Sequence, residues 1–258
     1  MISPVRLTGS SRPLKSIARS LLSLLYPPSC ALCEAELPQW DGQVCLCSAC
    51  RAVLPRLVAP WCARCGEPLE GDGADICARC AGGELPFERL RSFGSYQGNL
   101  AELIRAFKFG GERALAGELA AYLLELATHD PQISGAHAIT FVPMTARARR
   151  ARGFNQTELL ARRLGRRLEL PVIKVLRKLR ETRLQVELGG RERRENLSGA
   201  FAARHDPRYE KILLIDDVYT TGATLAECSQ ALAVAGYSQI YALTLARTVF
   251  KPRDDQDN

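Results

Sequence analysis

The sequence predicts an α/β protein, a mostly parallel sheet flanked by helices, with a small cysteine-rich unit at its N-terminal side. Two observations predict it. Short apolar runs at 138–142, 171–175, 212–215 and 239–246 alternate with helical patterns, as the buried strands of a parallel sheet require. Nine of the ten cysteines fall between residues 30 and 80, ahead of all these runs.

The stretch KILLIDDVYTTGATL, residues 211–225, organises the rest. Ile212, Leu213, Leu214 and Ile215 form a short, partly β-branched run bounded by charge, which suits a strand covered on both faces. Asp216 and Asp217 follow at its carboxyl end. Thr220, Thr221, Gly222 and Thr224 then supply three hydroxyls and one permissive backbone position, just where a helical pattern begins at Leu225. Backbone amides and the positive end of a helix dipole can hold a phosphate in such a loop, and paired carboxylates can accept hydrogen bonds from a sugar diol. Asp-Asp and Thr-Gly are also ordinary turn and cap residues, but the complete order favours an anion site. The GxxxxGK[ST] pattern is absent, so a nucleoside triphosphatase is not the natural reading. The order resembles the ribose-5-phosphate site of type I phosphoribosyltransferases. That resemblance implies that Asp216 and Asp217 bind the ribose hydroxyls of phosphoribosyl pyrophosphate (PRPP). It also implies that Tyr219, Thr220, Thr221, Gly222, Ala223 and Thr224 wrap the 5-phosphate.

The cysteines come as four CxxC knuckles, Cys30/Cys33, Cys47/Cys50, Cys62/Cys65 and Cys77/Cys80. Each knuckle turns two thiolates toward one tetrahedral ion, so two knuckles complete a shell and two structural zinc ions are expected. A disulfide framework would need an export signal, which the sequence does not offer. Cys45 is a spare thiol that can replace Cys47, and pairing of knuckles across the two halves is also open. Few large apolar residues lie between the knuckles, so metal supplies much of this unit's folding free energy.

Leu100, Leu103, Ile104 and Phe107 fall at helical spacing, with Asn99 or Ser95 as start and Gly110-Gly111 as stop. Lys108 sits at the junction with a second helix from about Glu112 to the Asp130-Pro131 break, as a helix-end cation or an anion contact. The strand at 138–142 leads into a loop bearing Arg147, Arg149, Arg150 and Arg152, ended by Gly153 and placed to meet pyrophosphate. Asn155 or Thr157 caps the next helix, whose Arg162, Arg163, Arg166 and Arg167 read as a solvated face. After a strand near 171–175 comes a long polar arm interrupted by Gly189-Gly190. It is expected to be mobile, an active-site hood with Gln185, Arg191, Arg194 and Asn196 as candidate contacts. Cys228 falls on an apolar helical stripe and reads as a core thiol; His129, His137 and His205 show no ligand spacing.

The net charge of +7 is uneven: residues 147–195 hold 14 Arg and 2 Lys against 6 Glu. Such a local excess points to an anionic ligand or nucleic acid. No apolar run approaches the roughly 20 residues of a membrane span, and a cytoplasmic chain is expected. The division expected is a flexible basic N-terminus at 1–23, a double zinc ribbon at 24–86, a phosphoribosyltransferase-like domain at 87–250 and a disordered tail at 251–258.

Paired knuckles followed by YxGxLxxLIxxFKFGG, VPMTxRxRRxRGFNQ, TRLQ with RRENLSGAF, and LLIDDVYTTGATL resemble the ComF family of competence-associated proteins. The resemblance spans roughly residues 24–249. It implies a type I phosphoribosyltransferase fold behind a double zinc ribbon, acting in uptake of single-stranded DNA during natural transformation with the competence DNA-translocation machinery. Carried over residue by residue, the functional matches are Lys108, Arg152, Asn155, Gln156, Asp216, Asp217, Thr220, Thr221, Gly222 and Thr224. Two activities compete. In one, PRPP binds with Mg2+ and pentosyl transfer runs with Lys108, Arg152, Asp216 and Asp217 as catalytic groups. In the other, a non-enzymatic zinc-containing module grips DNA phosphates beside a vestigial site. A metabolic phosphoribosyltransferase unrelated to DNA uptake is a third reading. Phe154 and Phe201 are the aromatic residues in and beside the basic stretch, so backbone contact is expected over base stacking.

Overall fold

A computed structural model of the chain describes residues 28–37, 45–69, 75–83, 85–110, 112–181 and 197–249. The expectations for the N-terminus, the hood contacts Gln185, Arg191, Arg194 and Asn196, and the tail lie outside the described residues.

A parallel sheet runs in the order β1 (Arg89–Ser95), β7 (Gln239–Arg247), β5 (Lys211–Ile215), β2 (Ala138–Phe141), and β6 (Val218–Tyr219) adds to β7. All these pairings are parallel. On β5 the side chains alternate between two apolar cores, Leu213 and Ile215 entering one and Ile212 and Leu214 the other. All four are fully buried, so the strand is held from both faces and its carboxyl end is fixed in position.

The first core is closed by α3 (Gly98–Phe109), α4 (Leu115–His129) and α7 (Gln156–Leu168), the second by α8 (Ala223–Val234). Gln97, rather than Asn99 or Ser95, caps α3, and α4 begins at Leu115 rather than near Glu112. Asn155 caps α7 by accepting from the Thr157 amide. A short α5 (Pro131–Ser134) follows α4, and Asp130 caps it.

Two expectations are corrected. The arginine stretch is a helix, α6 (Ala146–Arg152), capped by Thr145 and stopped by Gly153 in the left-handed conformation. The run at 171–175 makes a single parallel bridge, Val172 to Ile139, instead of a strand. Pro171 has no amide to donate, and the chain leaves the sheet after Ile173. It then forms β3 (Leu176–Lys178), which pairs antiparallel with β4 (Phe201–Ala203) at the root of the polar arm.

The cysteine-rich unit lies against the exposed edge of β1. Pro55 and Phe93 carbonyls accept from Ser95 and Leu57 amides, and the Leu90 amide donates to Arg64. Two short helices, α1 (Ser48–Ala52) and α2 (Ala78–Ala81), carry its second and fourth knuckles. Edge pairing of this kind leaves no bare strand on that side of the sheet.

Candidate active site and metal centres

The sulfurs of Cys30, Cys33, Cys47 and Cys50 form one group, and those of Cys62, Cys65, Cys77 and Cys80 a second. Within each, all four lie within 4.8 Å of one another. The Cys33–Cys47 and Cys65–Cys77 separations of 3.7 and 3.6 Å match the ~3.8 Å edge of a tetrahedron with ~2.3 Å Zn–S bonds. The knuckles therefore pair in sequence order, and Cys47 rather than Cys45 completes the first shell. Cys45 turns its backbone inward instead, its amide toward Glu118 at 3.4 Å and its carbonyl accepting from Ala31. None of the ten cysteines, all of them among the described residues, forms a disulfide, and four thiolates at this spacing fit a structural Zn2+. Cys228 is a buried core residue on the inner face of α8, as its stripe predicted.

Both clusters are bolted to the sheet domain by arginine. Arg51, next to Cys50, grips buried Glu118 of α4 at 2.9 and 3.1 Å, and Tyr122 donates to the same carboxylate. Arg247, fully buried at the end of β7, donates to the Cys65 carbonyl at 2.6 Å and pairs with Glu67.

At the carboxyl end of β5 the chain turns away, and the acidic pair is left facing α3. Asp216 is 8% exposed and accepts from the Asp217 amide at 2.8 Å. Lys108, from the last turn of α3, sits 2.8 Å from Asp217. Burial, reinforced by the neighbouring Asp217 charge, pushes the Asp216 carboxyl up to about 8. Burial draws the Lys108 ammonium down, but Asp217 and Asp216 outweigh it and hold it above its ordinary value. Lys178 on β3 also lowers Asp216, and burial pulls its own ammonium down. Two acids thus stand side by side, with one lysine in contact and a second in electrostatic reach.

The loop that follows is half-buried at Thr220, Thr221, Gly222 and Thr224, while Ala223 is buried. Gly222 has φ +82° and precedes the first turn of α8, so the amides at the start of α8 gather at one point. Thr221 accepts from the Ala223 amide at 3.5 Å. The Tyr219 ring packs beside Gly222 of this loop but is engaged by the second cysteine unit: Arg79 and Arg247 both lie over it, and Arg79 donates to its hydroxyl at 2.8 Å. Tyr219 can therefore serve the loop through its backbone, its side chain belonging to the second cysteine cluster.

Asn155 and Gln156 are buried joints rather than open contacts. Asn155 donates to the Val142 carbonyl at 3.3 Å, and Thr157 to the same carbonyl at 2.7 Å, tying α7 to the carboxyl end of β2. Gln156 donates to the Lys108 carbonyl at 3.1 Å and accepts from Arg152 at 3.5 Å. The FKFGG and RGFNQ motifs are thus stitched together, and Gln156 fixes the backbone that aims Lys108. Arg152 lies over the Phe109 ring, and Arg113 over Phe154, each at 4.8 Å. Phe109 is 69% exposed, and exposed Arg149 lines a cleft with Arg113 and Phe154, so this face combines guanidinium and aromatic surface.

Residues 21–81 match the family described as double zinc ribbon domain. Competence protein F of Haemophilus influenzae is 33% identical over 210 residues, covering 78% of this chain and 90% of the relative. The chain belongs to the ComF family. DNA utilization protein YhgH of Escherichia coli strain K12 is 31% identical over 230 residues, covering 88% of this chain and all of the relative. Competence protein ComFC of Bacillus subtilis is 26% identical over 241 residues, with 85% and 95% covered. Orotate phosphoribosyltransferase from Aeropyrum pernix, a solved structure, aligns at 21% identity over 53% of this chain and 64% of its own, with a TM-score of 0.32. Of the motifs by which the ComF resemblance was read, FKFGG, RGFNQ and IDD meet in one place here. Three partners of that place escaped sequence reasoning. Lys178 arrives from a strand mistaken for loop, Phe109 was passed over as a helix end, and Arg79 lies 140 residues from Tyr219. No helix among the described residues is long and apolar enough to cross a membrane.

Proposed function

We propose that this ComF-family chain binds PRPP with Mg2+ at residues 216–224 and transfers its pentosyl group, in support of single-stranded DNA uptake. The observation that carries the reading is the acidic pair at the end of β5, Asp216 buried and Asp217 half-buried, joined within seven residues to a glycine-led helix start. Asp216 and Asp217 accept from the ribose hydroxyls while amides of 220–224 hold the 5-phosphate. Mg2+ bound with the substrate would supply positive charge that neutralises the pyrophosphate. In the transfer, the acceptor's lone pair forms the bond to the anomeric carbon as the bond to pyrophosphate breaks, and pyrophosphate leaves with that electron pair. Lys108 and Arg152 are the cations on hand for the charge that develops on it. The names of the relatives, competence and DNA utilization proteins, support the setting in DNA uptake.

The test is calorimetric titration of PRPP with Mg2+ into the wild type and into Asp216→Asn/Asp217→Asn. The proposal expects saturable binding that the double substitution abolishes. Equal binding by both proteins removes the ribose-site assignment.

A second reading, single-stranded DNA as a ligand, is favoured by one specific arrangement. The Arg152–Phe109 and Arg113–Phe154 stacks offer base-stacking platforms beside basic α6, more than the two phenylalanines read from the sequence. Phe109→Ala with Arg113→Ala is expected to weaken single-stranded DNA, and Arg149→Ala with Arg150→Ala to reduce the salt slope of binding. Unchanged affinity and slope would exclude this surface.

A further inference from the structure

The second cysteine cluster is wired to the candidate phosphate loop through two side chains. Arg79 stands between Cys77 and Cys80, inside the fourth knuckle. It donates 2.8 Å to the Tyr219 hydroxyl and lies 5.3 Å over the ring. Arg247 also lies over that ring, at 5.1 Å, and anchors the Cys65 carbonyl. Both arginines also reach Glu67, each is tied to the same cluster or its flank, and the ring is 2% exposed. The hydroxyl end of the ring also touches the loop. A methyl group at Gly222 would stand 2.5 Å from the Tyr219 hydroxyl and 2.8 Å from two ring carbons, so loop and ring are in van der Waals contact. Gly222 is the residue whose left-handed backbone starts α8. The route from a zinc ligand to the start of α8 is therefore two side chains long and leaves the ring no slack.

We infer that Arg79 is a positioning residue for the phosphate loop: through Tyr219, the metal-ordered knuckle sets Gly222, so the second zinc site and the anion site share one conformational equilibrium. Among the described residues the arginine beside the first cluster leads elsewhere, Arg51 coupling it to Glu118 on α4. The consequence is reciprocal. Whatever factor zinc in the second site contributes to anion affinity, the bound anion must return to that zinc. Loss of that metal, by chelation or by oxidation of its thiolates, would then disable the anion site while the sheet remains folded.

This inference rests on the phosphate-site reading, and the experiment separates the two. Zinc release from the full-length protein to a chromogenic chelator is followed with and without PRPP and Mg2+, beside a calorimetric titration of PRPP. The expected result is that one of the two zinc ions leaves ~5-fold or more slowly with PRPP bound, while the other is unaffected. Arg79→Met is expected to keep both zinc ions, lose that protection and bind PRPP more weakly. Arg79→Lys, which keeps a donor, should restore part of both, and Arg51→Met should leave the protection intact. Protection of neither zinc, or of both alike, in wild-type protein that binds PRPP overturns the coupling while sparing the phosphate site. A wild type that binds no PRPP removes both readings. The wild-type measurement decides the matter even where a variant fails to fold.

Discussion

Asp216→Asn should change how stability depends on pH, and the size of the change follows from the burial of the acidic pair. In the folded chain the Asp216 carboxyl is held up to about 8, against 3.8 for an ordinary aspartate. Between those values the folded state keeps a proton that the unfolded state has released, so protonation favours the fold. The stability from this group is present in full below pH 4 and is lost as pH rises through 8. Integrating the linkage from pH 6.5 to 9 gives a loss of about 2 kcal/mol in the wild type. Asparagine has no proton to lose and its carbonyl oxygen can still accept from the Asp217 amide, so its profile lacks this component. The assay is urea unfolding of both proteins at several pH values from 6.5 to 9, with zinc held constant. The variant should gain on the wild type by about 2 kcal/mol across that range. Parallel profiles would show that Asp216 is not a buried, proton-holding acid and would refute the electrostatic account of the pair.

Further outcomes are expected elsewhere. Gly222→Ala meets both a φ of +82° and the caged Tyr219 ring, so it should cost about 2 kcal/mol by thermal unfolding and lower PRPP affinity with zinc content unchanged. Arg51→Ala strands Glu118, which is 5% exposed, and should cost about 2 kcal/mol in the same melt. Arg56→Ala removes an ion pair to Glu125 whose two partners are both over 40% exposed, and should change stability by less than about 1 kcal/mol. Equal losses from these two substitutions would contradict the view that the buried pair holds the first unit to α4 more strongly than the exposed one. Chelation should release two zinc ions per chain and remove on the order of ten kcal/mol of folding free energy per site, seen as protease cleavage between residues 28 and 81. A chain that resists protease after metal loss would show that the sheet edge alone orders this unit.

Much of this architecture was legible because the decisive signals are local. CxxC fixes two sulfurs within one turn, and Ile212–Ile215 can be buried on both faces only as an inner strand. Asn155 announces its helix by a cap two residues from its partner. The helix at 146–152 was legible too, though it was read as a loop: Thr145 offers an N-cap, the arginines favour helix, and Gly153 supplies the left-handed stop. What could not be read depends on contacts far apart in the chain. No local pattern tells that Tyr219 faces Arg79 and Arg247 rather than a phosphate, or that Gln156 secures the Lys108 backbone across 48 residues. The choice of Cys47 over Cys45 follows from the tertiary pull of Glu118 on the Cys45 amide, which spacing alone leaves open.

The most direct measurement of the central claim is a crystal structure of the chain with PRPP and Mg2+. The account predicts the ribose diol on Asp216 and Asp217, with the Lys108 ammonium displaced from Asp217 or shared with the ligand. It also predicts the 5-phosphate within hydrogen-bond distance of the amides of 221–224. A complex in which PRPP sits elsewhere, with the Lys108–Asp217 contact undisturbed and the start of α8 bare, would contradict it.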